Sequence, residues 1–153
     1  YTHKFFSQGN EDGLSDYLSG KIEIGKAVKK ISEAGFDYIS RGMVPPNPAE
    51  LLMHKRFGEL ISWASANYDM IILDTPPILA VTDAAIIGNY AGTTLLIARF
   101  ELNTAKEMDV SVRRFEQNGV QVKGCILNGV VKKASSYYGY GYSNYGYKYS
   151  EKN

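Results

Sequence analysis

A single cysteine, Cys125, stands in the 153 residues, which excludes an internal disulfide and any zinc site built from cysteines. It lies in the apolar run Gly124-Cys125-Ile126-Leu127, where a small buried hydrophobe is expected, and the scarcity of thiols fits a reducing, cytoplasmic setting. Excess charge of one sign is also lacking: 17 basic against 16 acidic residues leave a net charge of +1, so nothing global favours nucleic acid. No apolar run approaches the roughly 20 residues that cross a bilayer, and the opening Tyr1-Thr2-His3-Lys4 has none of the make-up of a secretory signal. Those first residues lack an initiator methionine, which leads us to expect a piece of a longer protein. Absent as well is a glycine-rich loop that would cradle a phosphate. The only Gly-Lys steps are Gly20-Lys21 and Gly25-Lys26, and no such loop surrounds either.

The most informative stretch present is Met70-Ile71-Ile72-Leu73-Asp74-Thr75-Pro76-Pro77. A short apolar run rich in β-branched residues reads as a strand buried on both faces, as in parallel sheets. Asp74 then sits at the strand's carboxyl end, the edge at which open α/β sheets bind ligands. The two prolines bar further pairing, so the backbone must loop over the place the carboxylate faces. An acid held there suits a divalent cation or a cation-bound water, and taken alone it suits a loop-capping carboxylate equally well.

The rest of the chain punctuates itself. Gly13 to Leu18 reads as a short amphipathic helix ending at Gly20, and a weak second helix runs through Ala27, Val28 and Ile31. Phe36 to Ser40 reads as a strand, followed by a rigid loop from Arg41 to Pro48. Asn47 then caps, with Pro48 in the first turn, a helix that carries Met53, Phe57, Leu60, Ile61 and Ala64 on one face and ends near Asn67. Beyond the proline loop, Thr82-Asp83 opens a helix stopping near Gly92, and Thr93 to Phe100 is a strand. Thr104 and Glu107 form a capping box for a helix that buries Met108, Val112 and Phe115 and ends at Asn118-Gly119, before a last strand from Val122 to Val130. Strands alternating with helices predict βαβ units and a mainly parallel sheet. The four strands make it an incomplete one. After Lys132-Lys133 the aliphatic residues run out, which divides the chain into a domain over 1–133 and a disordered tail over 134–153 that holds seven of the twelve tyrosines.

Three stretches together resemble one family: Arg41-Gly42 with Pro45-Pro46-Asn47-Pro48-Ala49-Glu50-Leu51-Leu52; Asp74-Thr75-Pro76-Pro77 with Val81-Thr82-Asp83-Ala84-Ala85; and the terminal tyrosines. They look like the bacterial tyrosine kinases (BY-kinases), specifically the cytoplasmic domain of the proteobacterial capsule and exopolysaccharide autokinases, and the likeness runs through the whole chain in one register. The resemblance implies an α/β P-loop fold of the MinD/ParA type, incomplete at the N-terminus because the family's phosphate loop and second Walker-type motif lie upstream of Tyr1. It implies ATP and Mg²⁺ as cofactors, with Asp74 as the Walker B acid that positions magnesium through water. It also implies a ring-shaped homo-oligomer in which one subunit phosphorylates the tail of the next, attachment to the cytoplasmic side of the inner membrane through an absent region, a cognate tyrosine phosphatase, and the polysaccharide export machinery as partners.

Site residues follow by position in the family pattern. Tyr137, Tyr138, Tyr140, Tyr142, Tyr145, Tyr147 and Tyr149 match the phosphoacceptor cluster, and Tyr1 with Arg41 matches a phosphotyrosine and the arginine that engages it. Asn128 matches the place of an amide on the adenine edge, and Asp83 a place near the γ-phosphate. Each has a plainer alternative: a salt-bridged loop residue for Arg41, a turn former for Asn128, a helix cap for Asp83, and a sticky low-complexity aromatic segment for the tail. Reach favours the acceptor reading, since Lys133 to Tyr145 spans up to about 40 Å when extended. Stacking of nucleic acid on the tyrosines is disfavoured by the few tail lysines. Two rival functions remain, a MinD-like switch ATPase and a non-catalytic tyrosine-rich acceptor protein. The isolated chain is expected to be inactive.

Overall fold

The computed structural model describes residues 12–31 and 35–131. Helix α1 (Leu14–Leu18) starts where Asp16 Oδ2 accepts the Gly13 N–H at 3.1 Å, a carboxylate placed at the positive end of the helix. A one-turn helix α2 (Ile24–Ala27) runs straight into strand β1 (Val28–Ile31), which pairs antiparallel with β2 (Phe36–Ile39). The expected continuation of α2 through Val28 and Ile31 is therefore a strand. A helix of two turns gains little from its own hydrogen bonds, whereas the register from Val28↔Ile39 to Ile31↔Phe36 satisfies the same backbone groups against a neighbour. The strand predicted at Phe36 is present, but in this hairpin and not in the parallel sheet.

The single helix expected from Pro48 to Asn67 is two, α3 (Pro48–Met53) and α4 (Lys55–Asn67). His54 breaks it with an extended backbone, ψ 144°, and its Nδ1 accepts the Arg56 N–H at 3.3 Å, so the break doubles as an N-cap. Phe57, Leu60 and Ala64 are buried as their spacing requires, while Met53, on the far side of the break, is exposed. Phe57 is the largest fully buried side chain. It centres a core made with Tyr17, Leu18, Leu52, Leu60 and Ile87, and it meets the edge of Tyr90 at 5.0 Å between ring centroids.

The second half follows the sequence more closely. Helix α5 (Asp83–Gly88), strand β3 (Thr94–Arg99), helix α6 (Ala105–Gln117) and strand β4 (Val122–Asn128) occur in the expected order, and β3 and β4 pair in parallel from Leu95↔Gly124 to Arg99↔Asn128. The capping box is closed in both directions: Thr104 Oγ1 accepts the Glu107 N–H at 3.2 Å and Glu107 Oε2 accepts the Thr104 N–H at 2.7 Å. The hydrogen bond from the Thr104 backbone, then that from its hydroxyl, hold the Glu107 carboxyl below its ordinary pKa. The ionised cap thus favours the folded helix above the usual glutamate range, and that advantage disappears as pH falls through the lowered pKa. A second core gathers Ile78, Ala84, Ala85, Phe115 and Val120 between α5, α6 and the sheet, with Leu96 and Val122 against it.

Two further expectations are overturned. Met70–Leu73 forms no strand: among the described residues no backbone pairs with it, and Met70 and Ile72 are 77% and 82% exposed. Cys125 is exposed as well, not buried. A parallel sheet needs cover on each face and neighbours on each edge. Met70–Leu73 has no paired neighbour among the described residues, and Cys125, although it shares a face with its partner Leu96, lies on β4, where the cover that buries Ala98 of β3 does not reach: its neighbour on that face, Leu127, is 54% exposed. Leu95, Ile97 and Ile126 on the opposite face stand open.

Candidate functional site

Asp74 lies on the short stretch that crosses from one core to the other. On its amino side Leu73 packs against the Phe57 core, and on its carboxyl side Ile78 is 6% exposed within the Phe115 core. Between them Pro76 and Pro77 restrict φ, and the Pro77 carbonyl accepts the N–H groups of Ala80 at 2.9 Å and Val81 at 3.3 Å, closing a turn. The carboxylate itself is exposed and makes no hydrogen bond or ion pair among the described residues. No cluster of three metal-ligating side chains occurs among those residues. A lone, unpartnered carboxylate at a loop mouth matches the manner of Mg²⁺, which takes one or two carboxylates, keeps several waters and fills its other positions with substrate phosphate oxygens.

Arg41 is held by its backbone. The Leu14 N–H donates to the Ser40 carbonyl at 2.8 Å, the Ser15 N–H to the Arg41 carbonyl at 3.0 Å, and the Ser15 hydroxyl to the Met43 carbonyl at 2.6 Å. These bonds use the unsatisfied donors of the α1 N-terminus to fasten the loop. Gly13 and Gly42 make the close approach possible: a Cβ on Gly42 would stand 2.5 Å from both Ser15 Oγ and Asp16 Oδ2, and Gly42 has φ +79°. Gly42→Ala is expected to destabilise the protein by about 2–3 kcal/mol, from the left-handed backbone and the clash together. Urea denaturation followed by circular dichroism checks this, and a loss under about 0.5 kcal/mol would show that the loop tolerates a Cβ. The Arg41 side chain is exposed, and the salt-bridge alternative finds no partner among the described residues.

Asn128 closes β4. Its Oδ1 accepts the N–H of Gly129 at 2.8 Å, where φ is +71°, and its backbone carbonyl accepts from Phe100 N at 2.8 Å, so its side-chain oxygen takes part in a turn, as its plainer alternative has it. Asp83 occupies the first turn of α5, half-buried, and Thr82 contributes no side-chain cap. Tyr1 and the seven tyrosines from Tyr137 to Tyr149 lie outside the described residues. The structure thus puts Asp74, Arg41 and Asn128 on three separate loop ends, and no hydrogen bond or ion pair joins any two of them.

Sequence reading missed the groups that hold these loops. The α1 clamp on Ser40–Met43 gave no signal beyond Gly13 and Gly42, whose need for glycine emerges only from their mutual approach. Arg114, in the last turn of α6, donates from Nη1 to the carbonyls of Ile78 at 3.2 Å and Leu79 at 3.1 Å. In sequence it reads as an ordinary basic residue near a helix C-terminus. Tyr68 OH donates to Asp37 Oδ2 at 2.7 Å and ties the end of α4 to the hairpin; that bond, with burial and the Asp37 charge adding to it, raises the phenol's pKa.

A parallel β3–α6–β4 unit with an acid on a proline loop beside it defines an α/β fold, and solved structures place it among kinase domains. The kinase domain of Escherichia coli tyrosine kinase ETK superposes with a TM-score of 0.85 at 56% identity, over 93% of this chain and 56% of that one. The BceF tyrosine kinase domain superposes at 0.73 and 40% identity, over 79% of this chain and 50% of that one. No protein-family model matches. Tyrosine-protein kinase wzc of Salmonella typhimurium is 57% identical over 152 residues, 99% of this chain, and a protein of the cps region of Klebsiella pneumoniae is 67% identical over 139 residues, 91% of it. The chain spans about a fifth of the length of these curated relatives, 21% and 19%, and about half of the solved kinase domains. The chain belongs to the bacterial tyrosine kinase family and corresponds to a segment of its kinase domain.

Proposed function

We propose that this chain works as part of an ATP-dependent protein-tyrosine autokinase of capsule or exopolysaccharide assembly, contributing the metal-positioning acid and the phosphate acceptors. The observation that carries the reading is the 57% identity to a tyrosine-protein kinase over 152 of the 153 residues, a span that takes in the tyrosine cluster. Asp74 would hold Mg²⁺, which when bound neutralises charge on the transferring phosphate. Exposure and the lack of a competing partner leave the carboxylate free for that role. Arg41, kept at the surface by the α1 clamp, would engage a phosphotyrosine at Tyr1 through its planar guanidinium. The Asn128 amide nitrogen would meet the adenine edge. The tail tyrosines would be phosphorylated by a neighbouring subunit of a ring, and Lys133 to Tyr145 would give the tail a reach of up to about 40 Å when extended.

Full phosphorylation would add on the order of −10 to −14 charges to a body of net charge +1, and the resulting repulsion would loosen the assembly. The parent would be anchored at the inner membrane outside this segment. Among the described residues, no helix is long and apolar enough to cross a membrane. A phosphatase and the export machinery would be its partners.

The test is to incubate the 153-residue chain with Mg-ATP, alone and with the ETK kinase domain, and to map phosphotyrosine by mass spectrometry. Phosphate within Tyr137–Tyr149 is expected only when the second kinase is added. Failure of an active kinase to modify the tail would remove the acceptor role, and phosphorylation of the chain alone would show that it carries a complete site.

A further inference from the structure

We propose that Arg114 is a positioning residue for Asp74, acting across 40 residues of sequence through the proline loop. Two successive residues of α6 grip one residue of that loop. Phe115 packs with the Ile78 side chain inside the second core, and Arg114 Nη1 donates to the Ile78 carbonyl at 3.2 Å and to the Leu79 carbonyl at 3.1 Å. Charge-assisted bonds of this kind are about twice as strong as neutral ones. The neighbouring Arg113 shows what a merely solvated arginine does on the same helix: it pairs with Asp109 one turn back at 3.0 Å, both side chains exposed. Arg114 instead leaves its own helix to bind carbonyls 35 and 36 positions upstream.

The grip matters for Asp74 because little slack separates them. Leu73, packed on the first core, pins the chain just before the carboxylate, and Ile78 pins it four residues after. Of the residues between, Pro76 and Pro77 have φ locked near about −65°, so less of a shift at Ile78 is absorbed before it reaches Asp74 than in a proline-free loop. No side chain or backbone group among the described residues holds the carboxylate directly. Its position therefore depends on these two anchors, and Arg114 supplies the polar half of the second. Lysine keeps the charge but lacks the planar fork, and methionine keeps the length and apolar stem without donating at all.

The functional half of this inference rests on Asp74 acting as the metal-positioning acid, so the experiment has two arms. In the 153-residue chain, hydrogen exchange is measured for wild type, Arg114→Lys and Arg114→Met. Arg114→Met is expected to speed exchange of the Ala80 and Val81 amides, whose turn the clamp braces, by about tenfold, with Phe57–Ala64 unchanged and Arg114→Lys intermediate. Unchanged exchange at Ala80 and Val81 would overturn the clamp. In the second arm, this chain replaces the matching stretch of the ETK kinase domain and autophosphorylation is followed against Mg²⁺ concentration. Arg114→Met is expected to raise the Mg²⁺ needed for half-maximal rate by about three- to tenfold, while Asp109→Asn leaves it as in wild type. If Asp74→Asn shifts the Mg²⁺ dependence and Arg114→Met does not, the positioning role is wrong and the Asp74 reading stands. If Asp74→Asn shifts nothing, the Asp74 reading falls and the functional half of the inference falls with it.

Discussion

Asp74→Asn, placed in a kinase domain that carries this chain in the register of ETK, is expected to lower autophosphorylation about 100- to 1000-fold. That is the usual cost of removing one preorganised group that stabilises transition-state charge. Asparagine keeps the shape and removes the charge, so the loss reports electrostatics and not packing. The residue is exposed and touches no partner among the described residues, and thermal stability should stay within about 0.5 kcal/mol of wild type. A phosphotyrosine assay at saturating ATP, with Asp83→Asn beside it, makes the comparison. Asp83 sits half-buried in the first turn of α5, where its charge favours the helix N-terminus, and its substitution should cost stability before activity. Equal activity of Asp74→Asn and wild type would end the metal-acid reading.

Phe57→Ala is expected to cost about 3–5 kcal/mol, the range for emptying an aromatic site in a packed core. Phe57 is 1% exposed and unites α1, α3, α4 and α5 through Tyr17, Leu18, Leu52 and Ile87, and its ring meets the edge of Tyr90. Few local adjustments can refill that space, because Gly58 already places Tyr90 Cε1 at 3.4 Å from a would-be Cβ. Domains of this size hold only about 5–15 kcal/mol in total, so a large part of the native stability goes. Since Leu73 packs on the same core, the loss also frees the stretch that carries Asp74. Chemical denaturation monitored by tryptophan fluorescence measures it, and Phe57→Leu should lose far less. A cost below about 1 kcal/mol would mean that this core does not hold the four helices together.

Local chemistry was legible wherever a residue's role depends on its near neighbours. The Thr104–Glu107 box formed as spaced, Phe57, Leu60 and Ala64 turned inward, and Gly20 and Gly119 ended their segments with positive φ. Reading failed where the outcome depends on a partner distant in sequence. Val28 and Ile31 are compatible with helix or strand, and β2 decided between them. His54 has no mark of a helix break until its imidazole is seen to cap α4. The apolar run Met70–Leu73 has every local property of a buried strand. Hydrogen-bonded neighbours make a strand, and among the described residues it has none.

By itself the sequence determined the order of elements from α5 to β4, the Thr104–Glu107 cap, the inward face of α4 and the family resemblance, because these are written in spacings of one to four residues and in short motifs. The acid role of Asp74 and the acceptor role of the tail tyrosines are proposals that rest on that resemblance. Only the tertiary structure decided that two cores exist, that Asp74 stands on the bridge between them, and that α1 and Arg114 hold the loops carrying Arg41 and Asp74. Those contacts join residues about 26 to 36 positions apart. At such separations no periodicity carries information, and only the packing of helices against a shared core brings the donor to its carbonyl.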